Sequence, residues 1–209
     1  MPVKVKICGI TTEETLYAAI VGGATHIGFN FFAKSPRRIS LDRAAALVAR
    51  LPSHVTAVGL VVNEEKDRID AIRAQTGITT IQLHGEESPE FAASLGGDVW
   101  KAIPVKTRGD LSNTARFVGA VSHLLYDAKP PKGADLPGGT GMRFDWSLLD
   151  GFTHPLPWLL AGGLDADNVA QAVARTGARF IDVASGVESA PGIKDVDKIA
   201  AFLKATADL

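Results

Sequence analysis

Thr56-Ala57-Val58-Gly59-Leu60-Val61-Val62-Asn63-Glu64-Glu65, carried on through Ile69 and Ile72 to Gly77 and then to Thr80-Ile81-Gln82-Leu83, reads as a strand, a helix and a second strand. The apolar run 56–62 lacks polar alternation, as expected of a strand covered on both faces. Asn63 followed by two acids marks a helix start, because its side chain can take an orphan N–H and the acids complement the helix dipole. Gly77 is the matching stop. Such a unit argues for a parallel sheet.

The same alternation extends outward in both directions. Strands are predicted at about 3–8, 25–31, 56–62, 80–83, 98–105, 123–127, 158–161 and 180–184. Ser40 to Pro52 reads as a helix, and another opens at Asp165, sets Val169, Ala172 and Val173 on one face and stops at Gly177. Eight βα units, with no G-x-G-x-x-G after the first strand, favour an α/β fold of one kind, a single (β/α)8 TIM barrel, over a doubly wound open sheet. Its 209 residues suit one such domain spanning residues 1–209, with no linker dividing it. The longest irregular segment, Ala128 to Gly141, is rich in Pro, Gly and Lys and predicts a mobile functional loop.

Composition narrows the function classes. Hydrophobic residues at 46% and charged residues at 22% exclude disordered and fibrous chains. A net charge of −1, with Lys and Arg spread along the chain, argues against a nucleic-acid partner. Cys8 is the only cysteine, which rules out an intrachain disulfide and a cysteine-based zinc site. None of the histidines has metal spacing. No apolar stretch approaches membrane length and the first residues lack a signal-peptide run, so a cytosolic protein with small-molecule partners is expected, monomeric by default with a homodimer as the alternative.

In a barrel, chemistry sits at the C-terminal ends of the strands. Cys8 ends the first predicted strand, before Gly9, and is expected to be an accessible thiol in an open pocket; whether Lys6 faces the barrel with it is left open. Asp127 ends the sixth strand just ahead of the long loop, where a lid could exclude water and raise its pKa. The glycine-rich turns Ala161-Gly162-Gly163-Leu164 and Ala184-Ser185-Gly186-Val187 follow the last two strands, where barrels of this type bind phosphate through backbone N–H groups. Arg37 or Arg38, on a loop stiffened by Pro36, could clamp a carboxylate. His84, ending the fourth strand, is given a supporting role, and Asp182 is either a structural acceptor or a ligand-positioning residue.

Together these segments resemble the phosphoribosylanthranilate isomerases of tryptophan biosynthesis. The matching blocks run in order over the chain: Lys6-Ile7-Cys8-Gly9, Gly28-Phe29 to Ser35-Pro36-Arg37, Val58-Gly59 to Asn63, Gln82-Leu83-His84-Gly85-Glu86, Tyr126-Asp127 to Gly141, Phe144-Asp145-Trp146, Leu160 to Leu164 and Asp182 to Glu188. The resemblance implies an Amadori rearrangement of a phosphorylated sugar-anthranilate, with no cofactor. It further implies Asp127 as general acid, Cys8 as general base, Arg37 on the anthranilate carboxylate, and the turns at Gly162-Gly163 and Ser185-Gly186 on the phosphate. Asn30, Arg38 and Ala184 depart from the family pattern, and the doubled arginine leaves the clamp open between Arg37 and Arg38. Two rivals remain at this point: a histidine-pathway sugar isomerase, which would carry a carboxylate at Cys8 and two similar half-barrels, and a non-catalytic phosphate-binding barrel.

Overall fold

The computed structural model describes residues 2–130, 133, 138–139 and 141–209. The strands β1 (Lys4–Cys8), β2 (His26–Asn30), β3 (Thr56–Val61), β4 (Thr80–Leu83), β5 (Asp98–Val105), β6 (His123–Ala128), β7 (Trp158–Leu160) and β8 (Phe180–Val183) pair in sequence order into a closed barrel. Every pairing is parallel, and β8 returns to β1 with Lys6 opposite Asp182. The predicted strands hold to within a residue at each end.

Helices α1 (Glu13–Val21), α2 (Leu41–Val48), α3 (Lys66–Thr76), α4 (Pro89–Ser94), α5 (Val169–Thr176) and α6 (Val196–Thr206) cover the outside. Among the described residues the connections after β5 and β6 are 3-10 helices, Arg108–Phe117 and Trp146–Leu149, in place of regular α-helices. In the first of these, Ser112 and Thr114 donate their hydroxyls to carbonyls three residues back, the local bonding that makes such residues poor α-formers.

Two predicted helix starts shift. Asn63 does not cap α3: it takes a left-handed φ of 49°, its N–H is held by Glu87 Oε1 at 2.8 Å, and its Oδ1 accepts from the Glu86 N–H at 2.7 Å. Asparagine tolerates that conformation, so Asn63 ties two loops together and the helix begins after Glu65. Asp165 does accept the N–H groups of Asp167 and Asn168, but it caps a turn, and regular helix begins at Val169. The αL stops at Gly77 and Gly177 are where the sequence places them. Beyond β8, a short antiparallel hairpin, β9 (Glu188–Ala190) and β10 (Ile193–Lys194), was not foreseen.

Apolar side chains form two layers. Ile7, Ile27, Phe29, Ile81, Leu83 and Ile181 point outward to the helices, while Val58, Trp100, Ala102, Leu125, Leu159, Ala161 and Phe180 fill the barrel. At the N-terminal end, Trp100, His26, His123 and Phe180 pack as a ring cluster with centroids 4.5–6.2 Å apart. No helix of the described residues is long and apolar enough to cross a membrane.

This floor makes stability depend on pH. Burial, then Lys6 and Lys4, hold His26 down from 6.5 to about 4, and burial lowers His123 as well. The fold therefore favours the neutral rings, and the stability they confer is complete above the unfolded value and lost as pH falls from about 6.5 through about 4. Urea unfolding at pH 7.5 and pH 5 is expected to show this loss, with His26→Phe sparing roughly 1–2 kcal/mol of it after allowance for the ring's partial exposure. An unchanged loss in that variant would place the titrating groups elsewhere.

Candidate active site

A cleft of about 670 Å³, partly open to solvent, occupies the C-terminal mouth of the barrel. Cys8, Arg37, His84, Asp127, Gly162, Gly163, Asp182 and Ser185 all line it. Gly186 does not. An added Cβ there would run into the Leu164 carbonyl, so Gly186 packs one glycine turn against the other.

Cys8, at the end of β1, is only 4% exposed, contrary to the accessible thiol expected from sequence. Lys6 lies two residues earlier on the same strand face, and its ammonium stands near the thiol while binding Asp182 Oδ1 at 2.7 Å. Gly28 opens the space for both: a Cβ there would stand 2.8 Å from Cys8 Sγ and 3.0 Å from Lys6 Nζ. Burial opposes charge on Lys6, but Asp182 and Cys8 more than offset it and hold the ammonium above its ordinary pKa. Burial pushes the Cys8 thiol up, and Lys6 and Lys194 pull the other way. Asp182 adds to the effect of burial, so the resting group is the thiol, with fixed cations nearby that favour its thiolate when it forms.

Asp127, on β6 across the barrel mouth, is buried. Its Oδ1 accepts the Ala128 N–H at 2.8 Å and its Oδ2 lies 3.2 Å from His84 Nε2. His84 Nδ1 in turn lies 3.0 Å from Gln82 Nε2. The backbone at Gly138 runs so close to the pair that a Cβ would strike both Asp127 and His84. This portion of the long loop therefore covers the carboxyl group. Residues 131, 132, 134–137 and 140, and with them half of the predicted mobile loop, lie outside the described residues.

Arg37 is buried and Arg38 exposed, which settles which guanidinium faces the cleft. Gly9, at φ 84°, leaves room for the Arg37 side chain to pass behind the β1 turn. Arg37 Nε and Nη2 bind Glu188 Oε1 and Oε2 at 2.7 and 2.8 Å, and Nη2 also donates to the Gly139 carbonyl at 3.0 Å. Lys194 completes the cluster at 2.7 Å from Glu188 Oε1. Burial alone would raise the Glu188 pKa, but the two cations hold it below the usual range.

Gly162 and Gly163 adopt φ values of 85° and 63°, which the turn after β7 requires. Among the described residues, no protein acceptor takes the N–H groups of Gly162, Gly163 and Leu164, nor those of Ser185 and Gly186. Two adjacent turns thus present unspent donors at one wall of the cleft, a ready seat for an anion.

Sequence reasoning left Lys6 open and missed Gln82, Glu188 and Lys194 as participants. The period-2 rule could have placed Lys6 with Cys8, and Gln82 with His84. Glu188 and Lys194 carry no such signal, because the hairpin that positions them is invisible to periodicity.

The family model described as N-(5'-phosphoribosyl)anthranilate (PRA) isomerase matches residues 5–205. The curated N-(5'-phosphoribosyl)anthranilate isomerase of Zymomonas mobilis subsp. pomaceae is 50% identical, the match covering 98% of each chain. The solved phosphoribosyl anthranilate isomerase from Thermotoga maritima superposes with a TM-score of 0.90 at 35% identity, covering 99% of this chain and 100% of its own. A structure of such an isomerase in complex with reduced 1-(o-carboxyphenylamino)-1-deoxyribulose 5-phosphate gives a TM-score of 0.84 at 34% identity, with coverage of 99% and 100%.

Proposed function

The chain belongs to the N-(5'-phosphoribosyl)anthranilate isomerase family, and from that premise we propose that its cleft carries out the Amadori rearrangement as one catalytic domain, with Asp127 as general acid and Cys8 as general base. The enzyme is an isomerase of tryptophan biosynthesis acting on phosphoribosylanthranilate. The observation that carries the finer reading is the convergence, in one cleft, of the two proton-transfer groups on opposite walls and the unspent N–H donors of two glycine turns.

In the proposed sequence, Asp127 gives a proton to the furanose ring oxygen as the C1–O bond breaks, and the anthranilate nitrogen lone pair forms a C=N bond to C1. The resulting iminium acidifies the C2 hydrogen. The Cys8 thiolate, held beside Lys6, removes that proton, and the C–H electrons flow toward nitrogen to give an enaminol that tautomerises to the ketone. The phosphate sits on the turns at Gly162-Gly163 and Ser185. Asp182 acts through Lys6, which it holds against the thiol. With Arg37 Nε and Nη2 committed to Glu188, the anthranilate carboxylate meets the Nη1 side of the guanidinium.

Incubating the purified protein with freshly made phosphoribosylanthranilate and following loss of its fluorescence tests the reading. Steady turnover is expected, and no turnover would leave only a phosphate-binding barrel. In the same assay Arg37→Ala is expected to raise KM roughly 10–100-fold with little change in kcat, the loss of a charge-assisted hydrogen bond made in ground and transition states alike. Arg38→Ala should leave both unchanged. A larger effect from Arg38 would remove Arg37 as the clamp.

A further inference from the structure

We propose that Gln82 is a positioning residue whose side-chain amide turns over with the proton content of the His84–Asp127 pair, and that it favours the form able to act as an acid. The proposal rests on the reading of Asp127 as the general acid. Gln82 is fully buried inside the barrel, one step below His84 on the same strand face, and does not line the cleft. Its Nε2 faces His84 Nδ1 at 3.0 Å, and its Oε1 has no hydrogen-bond partner among the described residues.

This arrangement assigns the protons. An amide N–H directed at Nδ1 needs a lone pair there, so the ring hydrogen is on Nε2, directed at Asp127 Oδ2, while Oδ1 takes the Ala128 N–H. Both carboxylate oxygens then accept, and the pair holds one proton in all. That is the spent form, with nothing to give a substrate. An acid-competent pair holds a second proton, either as imidazolium beside carboxylate or as a carboxyl group donating to Nε2 of a neutral ring. In both cases Nδ1 carries a hydrogen. An N–H cannot face the amide NH2, so the amide must present Oε1, the atom left without a partner in the spent form.

Gln82 can satisfy Nδ1 in either state, which few side chains can do. The two bonds differ in strength, because a donor that is or shares a cation makes roughly twice as strong a hydrogen bond as a neutral one. Gln82 thereby holds the loaded pair more firmly than the spent one. The charged and titratable groups facing the pair are Cys8 from β1, Arg37 from the loop after β2, and Asp182 from β8; Lys101 on β5, bound to Glu87, lies behind β4. Leu60 on β3 and Ala161 after β7 carry no charge. None of these changes when Gln82 alone is replaced.

The test is the pH profile of kcat/KM with phosphoribosylanthranilate for wild type, Gln82→Met and Gln82→Glu. The alkaline limb reports loss of the acid proton from the pair. Methionine fills the space without an acceptor and is expected to move that limb down by about one pH unit, with roughly a tenfold loss of kcat above it and KM unchanged within about twofold. Glutamate can only accept, and is expected to move the limb up. Shifts in the same direction, or none, would overturn the proposal, since a purely structural role has no reason to split the two variants. If either variant fails to fold, 15N-labelled histidine in the wild-type enzyme decides: His84 Nδ1 should gain a proton as pH falls through the limb, and an Nδ1 that stays unprotonated would overturn the proposal. Asp127→Asn in the same series separates the two claims. Full activity in that variant would sink the acid assignment, whereas the 15N result stands or falls with the amide switch itself.

Discussion

Asp127→Asn is expected to lower kcat by roughly 10²–10⁴-fold while leaving KM nearly unchanged. The amide keeps the volume of the side chain, and its oxygen can still accept the Ala128 N–H, so the cleft should keep its shape. It has no proton to deliver to the ring oxygen, so ring opening becomes the slow step. That step precedes any C–H cleavage. With substrate deuterated at C2, residual turnover of this variant should therefore show almost no primary isotope effect, measured as the ratio of kcat on protio and deuterio substrate. A large isotope effect here would mean that Asp127 acts on the C2 hydrogen.

Cys8→Ser should cost a comparable factor, roughly 10²–10⁴ in kcat, for a different reason. A hydroxyl in the same buried place, beside the same Lys6 ammonium, ionises far less readily than a thiol. Proton abstraction then becomes slow, and the deuterated substrate should reveal a full primary isotope effect. Absence of that effect in Cys8→Ser, together with its presence in Asp127→Asn, would exchange the two roles. The experiment separates the groups by the order in which they act.

The barrel was legible because its signals are local. A strand such as β4 is a short apolar run, and the stops at Gly77 and Gly177 are single residues with a conformational need. Helix starts were read less well where a side chain serves a distant partner: nothing near Asn63 announces that Glu86 and Glu87 claim it. The site divides the same way. Cys8, Asp127 and the glycine turns could be found from their place at strand ends, and the resemblance named their chemistry. The His84–Asp127 contact could not, since it joins β4 to β6 across the barrel mouth. Nor could the burial of Cys8, which packs against Gly28 of the next strand, or the nearby charge of Lys194 from an unforeseen hairpin. Arg37 and Arg38 are adjacent and chemically identical, so only the backbone path decides which one enters the cleft.

The ring cluster of Trp100, His26, His123 and Phe180 closes the N-terminal end of the barrel, and the layer above it is packed solid. The catalytic chamber is therefore a cul-de-sac. Whatever arrives through the mouth must leave through the mouth, and the ketone carries the same phosphate and carboxylate as the aldose-derived reactant. Outgoing and incoming molecules cannot pass each other, so each turnover must finish its departure before the next begins, and accumulated product occupies the one doorway as a competitor for it.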